Sequence, residues 1–181
     1  GEPVAYILGR RAFYDREFMV TPDVLIPRPE TEHLIESALE FAKSRGNQLT
    51  AVDVGTGSGA IAITFKGNVP SAKVYATDIS QQALGVAQKN ATAQKADVSF
   101  FAGHLLLPLI ELNLKADLIM ANLPYIESDD MLNLEVSRYE PHLALDGGAD
   151  GLDLIRQLLE QVPQVCTPAS LILLEIGANQ G

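Results

Sequence analysis

Residues 53–60 read Asp53-Val54-Gly55-Thr56-Gly57-Ser58-Gly59-Ala60, a glycine-rich turn between an apolar run at 51–54 and a helix-forming stretch at 60–66. Glycines in such a turn permit tight curvature and close approach of a ligand to the N–H groups of a helix N-terminus. Asp78 follows at the end of the next apolar run, roughly 20 residues on, where a carboxylate can accept hydrogen bonds from both hydroxyls of a ribose. Turn and acid together select a nucleoside-containing cofactor. The spacing Gly55-x-Gly57-x-x-Ala60 also satisfies the dinucleotide fingerprint, so a nicotinamide-dependent oxidoreductase is one alternative. Two features lean away from it. Asp53, directly before the glycines, would repel a pyrophosphate but attract a cationic amino or sulfonium group, and the third glycine falls at 59.

Outward from the turn, strand and helix patterns alternate. Apolar runs at 51–54, 74–77, 98–101, 118–121 and 171–174 read as strands, and the stretches 60–66, 81–94 and 150–162 read as helices. Alternation of this kind predicts a parallel sheet covered on both faces, because right-handed crossovers need the helices. Upstream, residues 6–20 carry aromatic and β-branched side chains around Tyr14-Asp15-Arg16, the pattern of a β-hairpin. Pro27 holds its neighbour extended, and Pro29 with the following acids then opens a helix whose apolar face is Leu34, Ile35, Ala38, Leu39 and Ala42. Gly46 and Asn47 end it. The expected organisation is a hairpin and linker at 1–24 followed by an α/β catalytic domain at 25–181.

Composition narrows the function classes. The 181 residues are 47% hydrophobic, with 23 acidic against 13 basic side chains for a net charge of −10. That balance repels polyanions, and no Lys or Arg run offsets it, so direct nucleic-acid binding is not expected. No apolar run approaches the ~18 to 20 residues of a membrane span. The single cysteine, Cys166, cannot form an intramolecular disulfide and reads as core filler; a cytoplasmic setting is expected. His33, His104 and His142 lack metal-ligand spacing, so no metal is expected.

Asn122-Leu123-Pro124-Tyr125 leaves the end of the fourth strand, at the edge where open α/β sheets bind ligands. Its chemistry suits a planar amide or amino nitrogen. Such a nitrogen is a weak nucleophile, useful only when both N–H bonds point at acceptors and the lone pair points at an electrophile. The Asn122 side-chain oxygen and the adjacent carbonyl supply acceptors, and Tyr125 gives the flat group an apolar face. Positioning then supplies much of the catalysis.

These segments resemble the HemK/PrmC family of protein-glutamine methyltransferases. The resemblance runs through Gly1-Glu2-Pro3, Phe13-Tyr14, Leu25 to Glu32, Asp53 to Ala60, Asn122 to Tyr125, Tyr139-Glu140-Pro141, Ala144-Leu145, Leu174 to Gly177 and Gln180-Gly181. It implies a Rossmann-like class I S-adenosylmethionine-dependent methyltransferase sheet. The substrate it implies is the glutamine amide of the Gly-Gly-Gln loop in peptide-chain release factors.

Carried over by motif, Asp53, Gly55, Thr56, Gly57, Ser58 and Gly59 would wrap the methionine end of the cofactor and Asp78 its ribose. Leu105 would pack on the adenine, Asn122 would also contact the cofactor, and Asn122, Leu123, Pro124 and Tyr125 would form the glutamine pocket. Leu123 stands where the family usually has proline, and His104 where it usually has an acid. The resemblance further implies a monomer truncated at both ends, lacking a helical domain before Gly1 and a strand pair after Gly181. A DNA adenine or cytosine amino-methyltransferase, which shares the four-residue segment, is a second alternative, and a non-catalytic remnant a third. Arg28 is expected to be solvated or to cover the substrate pocket, and Glu140 to anchor a loop.

Overall fold

Five strands form the centre of the molecule in the order β5-β4-β3-β6-β7, all parallel, in a computed structural model describing residues 1–131 and 133–181. They are β3 (Thr50–Val54), β4 (Lys73–Asp78), β5 (Val98–Ala102), β6 (Ala116–Ala121) and β7 (Cys166–Leu174). The crossovers run through α3 (Ala60–Asn68), α4 (Gln81–Gln94), α5 (Leu107–Glu111) and α7 (Asp153–Val165). Strand order reverses at β3, and the chain ends that leave β3 and β6 therefore open a crevice between them.

Side-chain alternation along the central strands splits the core in two. Ala51, Leu118 and Met120 join Ala60 to Phe65 of α3 and Leu34, Ile35 and Ala38 of α2 (Glu32–Ser44) on one face. Val52, Val54, Ile119 and Ala121 join Leu109 of α5 and Ile155 and Leu158 of α7 on the other. A sheet buried on both faces accounts for the near-continuous apolar runs of its strands.

The hairpin is β1 (Arg10–Phe13) paired antiparallel with β2 (Arg16–Met19), and its Phe13 and Phe18 are fully buried in the α2/α3 face of the core. Asn90 of α4 fastens it, accepting from Met19 N and donating to Met19 O and Ser58 O. The extended reading fails at its start: Val4–Leu8 form a short helix, α1, stopped by Gly9 in the left-handed conformation. Tyr6 donates to Val24 O at 2.7 Å, a tertiary contact that fixes this turn against the linker.

β7 begins earlier than expected. Cys166 pairs with Ala116, the register then shifts, and Ser170 Oγ donates to Ala116 O in the bulge that contains Pro168. Cys166 is half-buried there, its thiol pushed up by burial. A further short helix, α6 (Ser128–Met131), and 3-10 turns at Glu135–Arg138 and His142–Ala144 lie between β6 and α7. Among the described residues no helix is long and apolar enough to cross a membrane.

Candidate active site

A cavity of about 280 Å³ lies over the ends of β3, β4 and β6 and is flanked by the linker before α2 and by the loop at 141–144. Its floor is the turn between β3 and α3. Gly55 N and Thr56 N both donate to Thr77 O, which ties the turn to the end of β4, and Gly59 N donates back to Thr56 O. Gly57 has φ +54°, and a Cβ built there would meet no atom within 4 Å. It faces the cavity, so this position is a cradle that any side chain would partly fill.

Two carboxylates hold the turn from either side. Asp78 Oδ2 accepts from Gly57 N and Asp78 Oδ1 from Ser80 N, both at 2.9 Å, and burial raises its pKa. Asp78 lines the cavity with capacity left for further donors. Asp53 lies beneath, fully buried. Its Oδ2 accepts from Thr56 Oγ1 at 2.6 Å and from Ala62 N at 3.1 Å, satisfying a first-turn N–H of α3 that Gly59, having no side chain, cannot cap. Burial pushes the Asp53 carboxyl up to about 7, against the pull of those two hydrogen bonds, while Asp78 adds a smaller upward push.

At the end of β6, Asn122 turns its side chain toward α2 and donates from Nδ2 to Thr31 Oγ1 at 2.9 Å. Among the described residues its Oδ1 has no donor. Leu123 is buried with its side chain against Gly55, and Pro124 follows on the cavity wall. Tyr125 stands behind that wall, where its hydroxyl donates to Glu175 Oε1 at 3.3 Å; burial first, then the Glu175 charge, raises its pKa and keeps it a phenol. Over the site, Arg28 is ion-paired with the fully buried Glu140. Arg28 lines the cavity and Glu140 anchors the loop beside it.

The cavity gathers Gly55, Thr56, Gly57, Ser58, Asp78, Leu105, Asn122, Leu123 and Pro124, all singled out in the sequence. Asp53, Gly59 and Tyr125 do not line it. Asp53 faces the α3 side of the sheet, Gly59 packs against Ile63 and Ala87, and Tyr125 is turned to Glu175. His104 lines the cavity as well, with its Nε2 2.9 Å from Gln157 Oε1. Ile79 and Leu143 line it too, as do Phe13 and Thr31, to which the sequence motifs that contain them assign no site role. For Thr31 the signal was present, because it stands inside the Leu25 to Glu32 segment, but it was read only as part of a helix start.

Among the described residues, no three His, Cys, Asp or Glu side chains are grouped to hold a metal ion. The parallel sheet, the glycine turn after its central strand and the acid ending the next make up the fold of the class I S-adenosylmethionine-dependent methyltransferases. The chain belongs to the methyltransferase small domain family, which it matches over residues 31–138.

It is 47% identical to a release factor glutamine methyltransferase of Bacillus subtilis, with all of this chain and 65% of the relative aligned. A protein of the same name from Neisseria gonorrhoeae is 46% identical, with 100% and 66% covered. The chain thus spans just under two thirds of the length of these relatives. Among solved structures, the ribosomal protein L11 methylase of Lactobacillus delbrueckii subsp. bulgaricus superposes with a TM-score of 0.58 at 25% identity, over 82% of this chain and 62% of that one.

Proposed function

We propose that this chain transfers a methyl group from S-adenosylmethionine to the side-chain amide nitrogen of a glutamine, the one in the Gly-Gly-Gln loop of a peptide-chain release factor, in the cytoplasm. Residues 25–181 act as the catalytic domain and residues 1–24 as a hairpin segment packed on it. The observation that carries the reading is Asn122, whose amide is held by Nδ2 while Oδ1 has no donor among the described residues at the end of β6. The relatives' shared name supports the choice of protein substrate.

The residues present fit the cofactor. The open cradle at Gly57 would admit its methionine end, with Thr56 and Ser58 beside it. Asp78 would accept from its ribose hydroxyls, and Leu105, buried at the cavity edge, would offer an apolar face to its adenine. When bound, the cofactor supplies an electrophilic methyl carbon on a sulfonium. Asn122 Oδ1 and the Leu123 carbonyl each accept one N–H of the glutamine amide, which turns the nitrogen lone pair toward that carbon. Pro124 restricts residue 123 to extended backbone and so preserves the carbonyl's direction although proline is absent at 123. Tyr125, fixed by Glu175, backs the wall against which the flat amide lies.

No base is needed before the bond forms. The proton leaves the methylated nitrogen afterwards, to solvent.

Calorimetry and a labelled-methyl assay test the reading together. S-adenosylhomocysteine is expected to bind and NAD not to, and label is expected to enter a release factor only when its loop glutamine is present. Binding of NAD alone, or label entering a duplex DNA and not the release factor, would overturn it.

A further inference from the structure

Thr31 stands immediately before α2, where a threonine hydroxyl ordinarily accepts an N–H of the first helical turn. Here it makes no such bond. Its φ of −64° and ψ of −15° are helical, because the 3-10 turn Pro29–Thr31 runs straight into α2. The hydroxyl is instead engaged by Asn122 Nδ2, across the crevice and 91 residues away in the chain. Thr31 is 4% exposed and lines the same cavity as Asn122.

An asparagine amide has two ends of almost equal size and opposite polarity. Turned over, Asn122 would present donors to a substrate nitrogen that is itself a donor. A hydroxyl donates as well as accepts, so the one at 31 can serve either end of the amide; what its buried bond fixes is the rotamer and plane of Asn122, and the substrate's own N–H donors then select Oδ1 over Nδ2.

We infer that Thr31 is a positioning residue whose hydroxyl fixes the rotamer and plane of the Asn122 side chain, so that Oδ1 stands where the substrate amide donates to it, and that Thr31 thereby sets the rate of transfer. The inference rests on the glutamine methyl transfer proposed above.

Thr31→Val keeps the shape of the side chain and removes the oxygen, and Thr31→Ser restores the oxygen. With the release factor as substrate, Thr31→Val is expected to lower kcat about 10- to 100-fold, the scale of a misoriented reacting group. KM and S-adenosylhomocysteine affinity should stay close to those of the parent chain, and Thr31→Ser should recover most of kcat. A role in folding alone would lower the melting temperature and cofactor affinity together and would leave kcat of the folded fraction intact. Side-chain amide exchange by ¹⁵N NMR gives a readout independent of activity: the Asn122 NH₂ group should exchange slowly in the parent chain and in Thr31→Ser, and fast in Thr31→Val. A parent chain that methylates the glutamine while Thr31→Val keeps either its kcat or its slow exchange overturns the inference alone. A parent chain that binds S-adenosylhomocysteine yet leaves the glutamine unmethylated overturns the proposed reaction, and the inference with it.

Discussion

At Asp53 a completely buried carboxyl has two hydrogen-bond donors on Oδ2, and Oδ1 has no partner among the described residues. Its position before the glycines is legible in the sequence; its direction follows from the alternation of the strand. Val52 and Val54 point to the α5/α7 face, so strand alternation sends Asp53 to the α3 face, where a helix N-terminus waits for an acceptor. The consequence is a pH dependence of stability. Below about pH 4 the carboxyl is protonated in folded and unfolded chains alike. Between there and about 7, the value to which burial raises it, the unfolded chain ionises while the folded chain keeps its proton. Its contribution therefore falls as pH rises through that window, by roughly 1 kcal/mol per pH unit, and is constant above it. Asp53→Asn cannot ionise and keeps an acceptor for Thr56 and Ala62. Urea unfolding of both chains across the window should show the variant's advantage growing with pH; a difference independent of pH would contradict the burial of this charge.

All three glycines of the turn have positive φ, and two of them, Gly57 and Gly59, have different tasks that substitution separates. Gly59 has φ +83°, and an added Cβ would lie 2.7 Å from Ile63 Cδ1 and 3.2 Å from Ala87 Cβ on α4. Strain and overpacking add, so Gly59→Ala is expected to cost about 2 to 4 kcal/mol in denaturant unfolding. At Gly57 only the backbone strain applies, about 1 to 2 kcal/mol, but its Cβ would enter the cavity. Gly57→Ala should thus weaken S-adenosylhomocysteine binding in calorimetry more than Gly59→Ala does, while unfolding less easily. Elements with a clear period were readable: α4 spans 81–94 as its pattern indicates, and the five strands fall on the five apolar runs. Elements shaped by tertiary contacts were not. Tyr6 and Ile7 favour a strand by type, yet the Tyr6 bond to Val24 O and the Gly9 cap place them in α1. α5 is five residues long with a proline in its first turn, too short to show a period. The start of β7 lies beyond a bulge around Pro168, where alternation is broken.

Across the whole molecule, the site is assembled by bonds between segments far apart in the chain. Arg28 reaches Glu140, Thr31 reaches Asn122, and Gln180 Nε2 donates to Tyr125 O at 3.0 Å. Individual residues of these pairs stood out in the sequence, but their pairing did not, because separation along the chain carries no information about such contacts. Glu140 is 3% exposed, so Arg28→Ala would leave a buried carboxylate without its cation, a loss of about 3 to 5 kcal/mol by urea unfolding. Glu140→Gln added to that variant should recover part of the loss; no recovery would show that Arg28 stabilises by packing alone. The central claim concerns Asn122, and the most direct measurement is mass spectrometry of a release factor after incubation with S-adenosylmethionine and either this chain or its Asn122→Ala variant. The account predicts a single methyl group on the amide of the Gly-Gly-Gln glutamine with this chain, and at least about a 100-fold slower appearance with the variant, which still binds S-adenosylhomocysteine. Equal rates for the two, or a methyl group on any other residue, would contradict it.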